Sequence, residues 1–78
     1  MNIRSYKKQI REMKVGDTFY LNAINCSLAM IDYTKELLKS GKIRPEQSEL
    51  DRTIFPEYQQ DFISGKSIAP QMVYEVIK

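Results

Sequence analysis

The sequence predicts a small, mainly α domain, with a long central helix, shorter helices around it and an extended strand near the C-terminal end. Three observations predict this. A chain of 78 residues fills one domain, spanning 1–78, and leaves no room for a second. From residue 17 to residue 40, apolar side chains recur at alternating steps of four and three, the period of a helix face. After Pro70, residues 72–77 read MVYEVI, rich in the β-branched and aromatic side chains that suit a strand.

The first element is an amphipathic helix over residues 3–14. At 100° per residue, Ile3, Tyr6, Ile10 and Met13 share one side, and Arg4, Lys7, Lys8, Arg11 and Lys14 gather about a third of a turn away. Asn2 suits the N-cap, and Val15-Gly16 supplies the break.

The second element carries Phe19, Ala23, Cys26, Met30, Tyr33 and Leu37 on one face, with Tyr20, Ile24, Leu28, Ile31 and Leu38 widening it. Asp17 caps its start and Gly41 its end. A second reading competes over residues 18–24. Phe, Tyr, Leu and Ile pack well on a sheet and Asn22 and Asn25 are poor helix formers, so this stretch also suits a strand entered from a Gly-Asp turn. In that case the helix begins nearer Ser27 and the fold becomes α+β with a small two-stranded sheet.

Beyond Gly41 the chain turns through Lys42-Ile43-Arg44, and Pro45 takes the first position of a helix running to about Thr53, where a missing N–H costs nothing. Pro56 opens another short helix that ends before Ser64-Gly65-Lys66. The C-terminal strand needs a partner for its backbone groups: residues 18–24, an edge in a second copy, or an edge in another protein.

Composition excludes several chemistries. With no histidine, nucleophile pairs and general bases that depend on imidazole are impossible. The single cysteine, Cys26, can form neither an internal disulfide nor a Cys-rich zinc site, and its place on the apolar face makes it a packing residue. The carboxylates lack the spacing of a calcium loop, and so short a chain has little volume for a catalytic cleft. We therefore expect no catalytic residues, no metal and no cofactor. No apolar run reaches the roughly 20 residues of a membrane span, and the opening residues lack the apolar core of a signal peptide, so the expected location is the cytoplasm.

The net charge is only +2, but it is unevenly distributed. Residues 1–14 hold Arg4, Lys7, Lys8, Arg11 and Lys14 against Glu12 alone; between Glu46 and Asp61 stand Glu46, Glu49, Asp51, Glu57 and Asp61 against Arg52 alone. The basic face offers phosphate neutralisation, with Tyr6 as a stacking surface; the same residues also suit a solvated helix with Tyr6 in the core. The acidic stretch suits a solvated face or one that docks a basic partner. Residues 37–50 also invite a helix-turn-helix reading, but the second helix would turn Glu46, Glu49 and Asp51 toward phosphates.

A short, histidine-free chain with polarised charge is similar in outline to small accessory proteins of mobile elements, including inhibitors of host nucleases. That resemblance is one of size and composition. The five acids between Glu46 and Asp61 against Arg52 alone separately suggest a surface that occupies the nucleic-acid channel of a larger protein, steered there by charge complementarity. The expectation is thus a protein-binding module without catalysis. Two alternatives stand beside it: a nucleic-acid-binding regulator using the basic helix, and a homodimer in which the C-terminal strand pairs across a two-fold axis.

Overall fold

The C-terminal strand organises the fold. A computed structural model describes residues 2–78. In it, strand β3 (Gln71–Val76) lies between β1 (Thr18–Asn22) and β2 (Ile43–Pro45), antiparallel to both. The register sets Phe19 opposite Tyr74 and Leu21 opposite Met72 on one side, and Ile43 opposite Val76 and Pro45 opposite Tyr74 on the other. β1 and β2 therefore run parallel, joined by helix α2 (Leu28–Lys39), with a gap of one strand between them that β3 fills.

This α+β arrangement overturns the mainly α expectation, and with it the long central helix. Residues 17–40 divide into β1, a 3₁₀ turn (Ala23–Asn25) and α2. Asn22 Oδ1 accepts from the N–H of Ile24 at 3.1 Å and so opens the turn; Ser27 Oγ accepts from the N–H of Met30 at 3.3 Å and caps α2. The buried row of α2 is Met30, Thr34 and Leu38, with Tyr33 and Leu37 only partly buried beside it. Phe19 is buried from a strand, and Tyr20 is exposed on the opposite face of the sheet. The competing reading of residues 18–24 as a strand, with the helix beginning near Ser27, is the one the fold adopts; its two-stranded sheet is overturned, since the sheet has three strands.

The third strand comes from the segment expected to turn into a helix at Pro45. The N–H of Ile77 donates to Lys42 O and the N–H of Glu46 to Val73 O, so the backbone groups of Lys42, Arg44 and Glu46 face β3 while those of Pro45, whose ring is buried, point off the edge. A proline fits there because the N–H it lacks would have pointed off the sheet edge. Helix α3 (Gln47–Thr53) starts after it, capped by Glu46, and with β2 intervening there is no helix-turn-helix.

Helix α1 (Ile3–Arg11) is capped by Asn2, whose Oδ1 accepts from the N–H of Ser5 at 2.8 Å; it is three residues shorter than expected at its C-terminal end. A 3₁₀ turn (Pro56–Tyr58) leads into the short α4 (Gln59–Ile63). The core joins Tyr6 and Ile10 of α1 to Phe19, Leu21, Met72, Tyr74 and Val76 of the sheet and to Met30, Leu38 and Leu50 of the helices. Gly65 seats the loop after α4 against α2. Its φ is +81°, and a Cβ there would lie 2.6 Å from Lys35 O.

Inside the core, the Thr34 hydroxyl donates to Met30 O at 2.8 Å, which leaves its oxygen to accept from the Tyr6 hydroxyl at 2.7 Å. Burial pushes the Tyr6 hydroxyl up to about 12, the Thr34 contact offsetting part of the effect. Burial also raises Tyr74 well above the usual phenol range.

Candidate functional site

The residues expected to carry function lie in two places, and the structure treats them differently. On α1, Arg4, Lys8 and Arg11 are exposed, as is Lys14 in the turn that follows. Lys7 is half-buried, its Nζ 5.2 Å from the centre of the Tyr33 ring. Among the described residues the ion pairs are Lys39 with Glu36 and Arg52 with Glu49, so none of these five cations is neutralised by an acid of its own chain. Tyr6, read as a stacking surface or a core residue, is in the core, edge-on to Phe19 and to Tyr33.

The acidic stretch is largely engaged by its own surroundings. Glu46 caps α3, accepting from the N–H groups of Ser48 and Glu49 and from the Ser48 hydroxyl. The Ser48 hydroxyl and those backbone donors hold its carboxyl below the usual range. Glu49 pairs with Arg52. Asp51 Oδ1 accepts from Gln47 Nε2 at 2.8 Å and Gln59 Nε2 at 2.9 Å. Glu57 is exposed and Asp61 half-buried, and these two are left facing outward near the start of α4. Cys26 is partly buried and its thiol donates to Asn22 O at 3.2 Å. Among the described residues, no three metal-ligating side chains come together.

Beside Glu57 and Asp61 lies a surface that reading the charges did not find. Phe55 is 72 % exposed and Tyr58 56 %, on either side of Pro56. They rim a groove of about 310 Å³ lined also by Thr53, Ile54, Asp61, Phe62 and Ser67. Phe55 is extended (φ −61°, ψ 144°), as a residue preceding proline prefers, and this points its ring outward instead of returning it to the core. The available signal was local: two aromatics flanking a proline, in a stretch with no apolar periodicity to bury them.

A second groove, of about 240 Å³, runs between α1 and β1, lined by Tyr6, Gln9, residues 19–22, Asn25, Cys26 and Met30. No helix among the described residues is long and apolar enough to cross a membrane. In comparisons with protein-family models, with curated proteins and with solved structures, nothing matches this chain.

Proposed function

We propose that this chain is a small non-enzymatic binding module of the cytoplasm, which docks a basic, partly apolar segment of a larger protein at the corner between α3 and α4. The observation that carries this reading is the groove rimmed by Phe55 and Tyr58. Large aromatics are costly to leave in water, and interface anchors are drawn from this type. Glu57 and Asp61 beside the groove select for Lys or Arg on the partner. A larger nucleic-acid-handling protein offers such segments, in keeping with the regulator or inhibitor role that size and composition suggest. The docking acids are then Glu57 and Asp61, since Glu46, Glu49 and Asp51 are held within the chain.

One observation favours a second reading, nucleic-acid binding through α1: Arg4, Lys8, Arg11 and Lys14 are exposed and unneutralised. A single NMR titration separates the two. Isotope-labelled protein is titrated with peptides alternating Lys or Arg with Leu, and then with duplex DNA and single-stranded RNA at about 50 and 200 mM salt. Peptide-induced shifts at Phe55, Tyr58 and Phe62 support docking at the groove. Salt-sensitive shifts confined to α1 with nucleic acid, and none with the peptides, would replace it with the second reading.

A further inference from the structure

The two edges of the sheet are finished differently. At the β2 edge, the strand is three residues long and Pro45 stands where an outward N–H would be. The β1 edge has no such protection. The N–H of Ala23 donates to Pro70 O and that of Val76 to Asp17 O, which sets residues 17, 19, 21 and 23 toward β3. The N–H and C=O groups of Thr18 and Tyr20 therefore point off the sheet. The strand itself carries no charged side chain, although Glu49 and Arg52 of α3 approach Tyr20 on one face. Residues 18–31 are fourteen consecutive positions without Asp, Glu, Lys or Arg, in a chain that is 28 % charged. Around this edge stand Val15, Tyr20, Ile24 and Leu28, four of the seven exposed large apolar side chains among the described residues, the last two each 78 % exposed.

We propose that β1 pairs antiparallel with β1 of a second copy about a two-fold axis at Tyr20, joining two three-stranded sheets into one of six. The argument for a second copy, over an unrelated strand, is the symmetry of the sequence TFYLN. It reads polar, apolar, Tyr, apolar, polar from either end. Centred on Tyr20, the register sets Tyr20 against the partner's Tyr20 as a hydrogen-bonded pair and Thr18 against the partner's Asn22, with no like charges opposed. On the helix-covered face, Phe19 meets the partner's Leu21 beside the groove between α1 and β1. At each end of the new pairing, Ile24 approaches the partner's Val15, so side chains left in water by one copy cover each other in two. This surface is separate from the Phe55 groove, and neither proposal depends on the other.

Sedimentation velocity of the full chain, from about 5 to about 500 µM, tests the association by mass action. The expected mass rises from 9.2 kDa toward twice that value, and Thr18→Lys and Tyr20→Lys each hold it at 9.2 kDa with an unchanged circular-dichroism spectrum. Hydrogen exchange on the unsubstituted chain reads the edge itself. Across the same range, protection of the Thr18 and Tyr20 amides should rise at least about tenfold, and the result stands whether or not the variants fold. A constant 9.2 kDa, a dimer that leaves those two amides unprotected, or a dimer untouched by both folded lysine variants would each overturn the proposal.

Discussion

Among the described residues Thr34 is the one buried polar side chain in this core, and its hydroxyl both donates to Met30 O and accepts from Tyr6. Deleting either member of the pair has unequal consequences. Tyr6→Phe leaves Thr34 its bond to the helix backbone and should cost about 1 kcal/mol; Thr34→Val strands a buried phenol and should cost about 2 kcal/mol, both read from urea unfolding. The double variant should lose less than the sum of the two, because the second deletion removes a group already without a partner. Tyr6 and Tyr74 also make the fold sensitive to alkali. Folded, each holds its proton past pH 10, where an unfolded tyrosine releases it, so their stabilisation is complete below pH 10. It is then lost as pH rises, for Tyr6 between about 10 and 12. The urea midpoint should be flat from about pH 7 to about 9.5 and fall above that, less steeply in Tyr6→Phe. Glu46 acts in the opposite direction: held below the usual carboxylate range, it stabilises the fold above that range and ceases to as pH falls below it.

Elements differ in how far their causes lie from their residues. α1 is legible from sequence because cap, apolar side and basic face all sit within one short stretch, and its face of cations is equally legible because charge needs no partner to be seen. β1 is not. Phe19 and Leu21, spaced by two, are followed by a turn whose length happens to continue a helical spacing into Met30, so a strand and a helix in succession imitate one long helix. Only the pairing of Phe19 with Tyr74, fifty-five positions on, decides between them. β2 carries even less local signal, since Ile43–Pro45 is a strand solely because β3 has a free side there. The acidic stretch was visible as charge, but which acids remain free depends on caps and amide contacts around α3. The loop after α4 shows the same non-local dependence. Gly65 must be glycine twice over, for its φ and for the Lys35 carbonyl against it, whereas Gly41 needs it for φ alone, with nothing within 4 Å. Gly65→Ala should therefore cost about 3 kcal/mol and Gly41→Ala about 1 kcal/mol in thermal or urea unfolding.

At the scale of the whole molecule, the radius of gyration of 11.6 Å is that of a well-packed chain of this length. Charge contributes little to that packing. Of the two ion pairs among the described residues, one is exposed on both sides and the other on its Arg52 side, so raising salt from about 50 to about 500 mM should move the unfolding free energy by less than about 0.5 kcal/mol. The sheet is what the molecule cannot lose. Both sides of β3 are taken within the chain, which closes the route to a dimer through the C-terminal strand. Deleting residues 71–78 should abolish the cooperative transition seen by circular dichroism, since the deletion leaves β1 and β2 with no strand between them.

The same placement governs the order of events while the chain is being made. α1, β1, α2 and β2 all leave the ribosome before the strand that must lie between β1 and β2, and at about 5–20 residues per second they wait unpaired for some seconds. During that interval both inner strand edges are bare, so the decisive pairing waits for β3 to emerge. A chain cut short before residue 71 should keep both of these edges bare and be cleaved by protease faster than the full sequence.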